Sequence, residues 1–274
     1  MNLRKATYPA IFATMTFFAA NSVITRYLLR GDHVSPFTLT AIRFLRGYIM
    51  LHVMSFLHPG FNGNLNISRN TIIGAIFLGI YAYSISYGYK VIPASEGVLV
   101  FYLSVVLTMT LISLIQERES LAPRNFIGII TGIAGIYIIT NSGLNPMKLQ
   151  GLALMAITGI SWGLYCINTG ENTNSFSYTY NTFLILAAII STICIIGYIL
   201  FPAELRIDST RSLACCLVLG TISTALSYVM WRELLTRLKP SQGALAQLAV
   251  PIITVILGVL FIGEDIKKIG RAHV

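Results

Sequence analysis

The chain has 274 residues, of which 55% are hydrophobic and only 11% charged. A soluble domain carries about 25% charged residues, so this composition cannot clothe a water-facing surface, and the missing surface must face something apolar. The net charge of +9 does not point to nucleic acid, because lysine and arginine are scattered among the loops and not gathered on one face.

A membrane helix needs about 20 mostly apolar residues. Nine such spans are predicted: 8–29, 37–57, 70–89, 93–115, 124–141, 150–168, 179–200, 213–231 and 242–262. The first follows Arg4 and Lys5, as a signal peptide would. Its apolar run is too long for one and no small-residue cleavage site follows, so it reads as a retained helix. Within it, Asn21 is an uncharged polar group at membrane depth, fit to bind substrate or to bond a neighbouring helix.

Arg43 and Arg46 lie about two turns into the second span. A charge that deep costs at least about 2.5 kcal/mol unless paired or hydrated. Each is either an anion-attracting or gating residue, or a structural arginine that snorkels or caps a neighbour. The third and fourth spans are rich in aromatics: Tyr81, Tyr83, Tyr87, Tyr89, Phe101 and Tyr102. Tyr83 and Tyr87 are four apart and share a helix face, which could line a cavity, whereas Tyr89 suits an interfacial belt. Glu96 follows Pro93 in the first turn of the fourth span. There it either caps the helix, where the dipole favours an anion, or serves as a protonatable group able to respond to a proton gradient.

Gly128–Gly132 in the fifth span and Gly159–Gly163 in the sixth have GxxxG spacing, a signal of close helix packing. Trp162 and Tyr165 on the sixth span, and Tyr228 and Trp231 on the eighth, permit the same cavity-wall reading as the tyrosines. Gln247 in the ninth is polar at membrane depth like Asn21, and Pro251 predicts a kink.

The fourth span opens at Ile92–Pro93–Ala94–Ser95 and closes on Glu117; the ninth opens at Lys239–Pro240–Ser241–Gln242 and closes on Glu264. Proline to glutamate is 24 positions in both, at an offset of 147. Proline starts a helix at little cost. Equal capped spans can coincide by chance; read as a repeat, they imply halves of five spans each, the second inverted. The domains expected are then residues 8–141 and 150–268, the second with four spans only. The terminal Ile269–Val274, reading IGRAHV, resembles a translated frame of a sequencing adapter. It is expected to be a scar that replaces a tenth helix, with a natural polar tail as the alternative.

Cys166, Cys194, Cys215 and Cys216 show no CxxC spacing, and the four histidines are unclustered, so no metal site or disulfide framework is expected. Lysine and arginine counts favour a cytoplasmic N-terminus in the first half and oppose it in the second. They say nothing of oligomeric state.

Several strings then converge. Ser35–Pro36 followed by Arg43–Phe44, Ile92–Pro93–Ala94–Ser95, Ser161–Trp162–Gly163 and Gly263–Glu264 together resemble the EamA-domain family of the drug/metabolite transporter superfamily. Departures are Gln116–Glu117 in place of Gly-Glu, Ser104 opposite Pro251, and the absent tenth helix. The resemblance implies an all-α membrane bundle of two inverted five-helix repeats, with alternating access around a central cavity. It implies no cofactor, no catalytic residue, and a small-molecule substrate such as an amino acid, usually exported, in a bacterial inner membrane. Asn21 and Gln247 are drawn toward the cavity by this likeness. A non-transporting or truncated membrane protein is the alternative. An integral-membrane enzyme finds no support in the motifs, and a primary pump would need a phosphate loop that the sequence lacks.

Overall fold

Polar residues at the head of each apolar run decide where the helices begin. A computed structural model describes residues 3–57, 67–116, 130, 145–168, 174–200 and 207–264. Helix α1 is Leu3–Arg30. The Ser35 side chain accepts from the Thr38 amide and Pro36 opens α2, Pro36–Ser55. Ser68 and Thr71 form a reciprocal capping box at the head of α3, Arg69–Val91. Helix α4 is Ala94–Gln116. Asn145 caps α5, Pro146–Ile167, by accepting from Lys148 N. Then come α6, Ser175–Leu200, and α7, Thr210–Gly220, capped by Ser209.

Two of the apolar runs are interrupted. After α7 the backbone widens into a π-helical turn, Thr221–Leu226, before resuming as α8, Ser227–Leu235. The ninth run divides into α9, Pro240–Gln247, and α10, Ala249–Ile262. Pro251 accounts for that break. It has no N–H to give to Gln247, and its ring crowds that same carbonyl. Gly263, at φ 63°, closes α10 in the left-handed conformation. The described residues contain no strand beyond one isolated bridge, Val34 to Ile207.

Among the described residues, six stretches are long and apolar enough to cross a membrane: Arg69–Val91, Ala94–Ile115, Pro146–Ile167, Ser175–Ile196, Thr210–Leu235 and Pro240–Ile262. The expected fifth span lies outside the described residues except for residue 130, as do Gly128, Gly132 and the expected C-terminal scar. On α3, Ile72, Ile76, Ile80 and Tyr83 form an exposed apolar stripe, the face a bilayer would cover.

Side-chain contacts fix the helix directions. Lys148 at the head of α5 pairs with Glu96 at the head of α4, and Gly163, farther along α5, meets Thr108, farther along α4. These two helices run parallel. Glu264 beyond α10 meets the head of α4, while Gln247 on α9 meets Met109 near its other end. The fourth and ninth runs are therefore antiparallel.

Candidate functional site

The interior is aromatic because each of five helices turns one ring-bearing face inward. Phe18, Asn21, Ser22, Tyr81, Phe101, Tyr102, Trp162 and Tyr228 enclose a chamber of about 10 Å³, room for about one water. Ring centroids lie 4.7 Å apart for Trp162–Tyr228, 5.2 Å for Tyr81–Trp162 and 5.4 Å, edge-on, for Phe18–Trp162. Such offset and edge contacts suit the ring quadrupoles.

Polar groups are few in this interior and most are held. Trp162 Nε1 donates to Gln247 Oε1 at 2.7 Å, and Gln247 Nε2 lies 3.5 Å from Met109 Sδ. Asn21 Nδ2 donates to the Ser223 carbonyl at 3.1 Å and to Thr224 Oγ1 at 3.2 Å. Both acceptors lie in the π-helical turn. A π turn breaks the regular i→i−4 ladder, which leaves the Ser223 carbonyl able to accept from another helix.

Of the ten residues predicted from sequence, Asn21, Tyr102, Trp162 and Tyr228 line the chamber. Tyr165 packs behind Trp162 at 5.5 Å, and Gln247 holds that indole. Arg43 is fully buried one turn of α1 away, donating to Thr25 Oγ1 at 2.5 Å. Arg46 is exposed. Glu96, 5% exposed, pairs with Lys148 Nζ at 3.0 Å and does not reach the chamber.

Tyr83 and Tyr87, offered as a cavity wall, do not line this chamber. Tyr83 is 57% exposed and stacks on Tyr87 at 4.4 Å on the outer face of α3. Tyr81 is the tyrosine turned inward. Two positions on a helix differ by about 200°, so Tyr81 and Tyr83 must face opposite ways. Lys90, in register with Tyr83 and Tyr87, was the available sign that their face looks outward. Tyr89, expected at an interfacial belt, is buried.

Two arginines close helix ends in ways the sequence did not announce. Arg232 donates to the carbonyls of Cys166 at 2.9 Å and Asn168 at 2.6 Å, and lies 3.9 Å over the Tyr178 ring. It thereby satisfies the open C-terminus of α5. Arg26 does the same for α3, donating to Tyr89 O at 2.6 Å. Beside it Glu264 accepts from Ala94 N at 2.8 Å and Ser95 N at 3.2 Å. The two strings that carried the family resemblance, at the start of the fourth run and the close of the ninth, thus meet as a helix and its cap.

A second space, about 490 Å³, lies between α1, α7 and α10. Apolar side chains line it, with Arg211 at one end and Ser223 on the wall toward the chamber. No cluster of metal-ligating side chains occurs among the described residues, and Cys166, Cys194, Cys215 and Cys216 are unpaired thiols.

An all-helical chain with recurrent membrane-length spans around a closed aromatic chamber is an integral multi-pass membrane protein. It belongs to the EamA-like transporter family, which matches residues 6–141 and 149–271. It is 29% identical to an uncharacterized protein of Pseudomonas aeruginosa over 252 residues, covering 92% of this chain and 85% of that one. It is 21% identical to an uncharacterized transporter of Clostridium kluyveri, covering 96% and 88% of the two chains. A further uncharacterized transporter, of Archaeoglobus fulgidus, is 22% identical, covering 92% and 89%. A solved crystal structure matches with TM-score 0.73 at 19% identity, covering 97% of this chain and 92% of that one. That likeness concerns the fold alone.

Proposed function

We propose that this protein is a secondary transporter that carries small organic metabolites, amino acids or compounds of similar size, through the aromatic chamber by alternating access, in the direction of export. The observation that carries the reading is the chamber itself. It is polar at a few points, walled by rings from five helices, and too small in this closed form for such a solute. A solute can pass only if the helices around it part.

The helix directions support nine spans with inverted halves. Helices α4 and α5 lie side by side and parallel, so residues 117–144 must return the chain from the far end of α4 to the head of α5. The expected span at 124–141 is one crossing, which goes with that arrangement. The antiparallel contact of the fourth and ninth runs is what an inverted repeat requires. A bacterial inner membrane with a cytoplasmic N-terminus goes with this reading. Proton coupling at Glu96 has a separate test: a pH-dependent rate in the parent that becomes pH-independent in Glu96→Gln.

The test is uptake and efflux in proteoliposomes with amino acids, nucleosides, aromatic carboxylates and cationic drugs. Saturable flux of at least one class is expected. A sealed, correctly folded preparation that moves none of them contradicts the reading.

A further inference from the structure

Arg43 is the most isolated charge in the described protein. Its side chain is 0% exposed. Nη2 reaches Thr25 Oγ1, while Nε and Nη1 have no hydrogen-bond acceptor among the described residues. Its charge acts on the hydroxyls of Tyr81, Tyr89 and Tyr228 and on the Cys216 thiol. None of the described ion pairs involves it; Arg26, Lys90, Lys148 and Arg237 each have an acid within 4.0 Å. A buried cation without a counter-charge is costly to hold, and a guanidinium with two open donors is shaped to accept a carboxylate.

The surroundings link this group to the chamber. Thr25 Oγ1, which accepts from Arg43, lies 3.5 Å from Asn21 Oδ1. Asn21 in turn holds the π-helical turn. Tyr81 and Tyr228, on which the Arg43 charge acts, are chamber walls.

We propose that Arg43 is the anion subsite of the chamber and that the transported solute carries a carboxylate, whose apolar part rests on Tyr81, Trp162 and Tyr228 while its oxygens take Nε and Nη1. The inference rests on the transporter reading for its setting, and its test is separate. The solute is an organic acid or a zwitterion, with the carboxylate as the common element. A cation or a neutral solute would leave Arg43 uncompensated.

The chain contains only two tryptophans, and both belong to the ring cluster around the chamber, so intrinsic fluorescence of the full chain in nanodiscs reports on this site. The probes are 3-phenylpropionate, its amide, phenethylamine and sodium chloride. A saturable response to the carboxylate is expected, with the amide and the amine weaker by roughly ten- to hundredfold, the range set by a charge-assisted hydrogen bond. Arg43→Gln and Arg43→Met should lose the response and Arg43→Lys should keep part of it.

Thermal melting separates this from a structural role. Arg43→Met without probe should melt at or above the parent, since it removes an uncompensated charge, and should show none of the parent's carboxylate-dependent rise. Equal responses to acid and amide would overturn the proposal. So would an equal response to chloride alone, or an Arg43→Met protein that is simply less stable with its carboxylate response intact. If proteoliposomes move neutral or cationic solutes independently of Arg43, the subsite falls while the transporter reading stands. If they move nothing, the transporter reading falls and the fluorescence arm still decides the subsite.

Discussion

Single side chains set the chamber's shape, and the bond between Trp162 and Gln247 shows how. The indole N–H and the amide oxygen meet at 2.7 Å with both residues buried. Trp162→Phe keeps most of the ring surface but leaves the Gln247 oxygen without its donor. An unsatisfied buried acceptor costs about 1–3 kcal/mol. Unfolding in detergent should register a loss of that size for Trp162→Phe, and adding Gln247→Leu should recover most of it. Additive losses would mean that the bond does not matter to the fold. At this scale the sequence was half legible. Polar or amphipathic residues in mid-span, Asn21, Arg43, Trp162 and Gln247, were visible because hydrocarbon makes them conspicuous. Which tyrosine of Tyr81 and Tyr83 faces inward was not plain, since both faces of α3 carry rings and Lys90, the charge in register with Tyr83, stands near its end. Arg232 was hidden for another reason. Near the end of a span, a snorkelling arginine and one that caps a buried neighbouring helix look alike.

Between elements, two devices hold the helices in register. The first is close approach. A Cβ built on Gly159 would stand 2.2 Å from the Phe101 carbonyl oxygen, a backbone atom that cannot swing aside. Gly159→Ala must push α5 away from α4 and should cost about 1–3 kcal/mol, as overpacking does. Gly79→Ala meets only the Leu186 Cδ1 methyl at 3.3 Å and should cost much less; comparing the two melting curves checks it. GxxxG spacing made Gly159 and Gly163 legible. The π-helical turn was not, because Thr221–Leu226 has no residue forbidden to an α-helix and the turn depends on Asn21 from another element.

The second device ties loops together. His33 Nδ1 and Asp208 Oδ2 meet at 2.5 Å, and Asp208 N donates to His33 O at 3.0 Å. Bonds from Ser212 and His33 hold the Asp208 carboxyl down at about 2, against an ordinary 3.8. A lowered acid pKa contributes stability above the unfolded value and loses it as pH falls through the folded one. The melting difference between the parent and Asp208→Asn should be constant above about pH 4 and shrink toward pH 2. A difference that does not change with pH would contradict the assignment.

For the whole molecule, the helix directions make one pattern. Helix α1 ends beside the end of α10, with Arg30 on Ile262 and Arg26 on Glu264. It runs antiparallel to the eighth run, with Tyr27 under Arg211 and Asn21 on Ser223. Helices α4 and α5 are parallel. Composition and span length made this architecture legible from the start, since about 20 apolar residues in succession admit few other readings. What they could not convey is which spans touch, because lipid and protein interior are equally apolar. The closed chamber and the neighbouring 490 Å³ space lie on either side of α1. In the proposed cycle the solute crosses the chamber as the helices around it part.

Substrate-protected labelling of the chamber tests that route most directly. Ser22 lines the chamber and is 1% exposed, and serine to cysteine is a small change. With Cys166, Cys194, Cys215 and Cys216 replaced, Ser22→Cys protein in proteoliposomes is treated with a methanethiosulfonate reagent during counterflow of a transported solute. The account predicts that labelling stops counterflow and that saturating solute slows the labelling. Counterflow that continues after full labelling, or that runs while position 22 never becomes accessible, would place the route elsewhere.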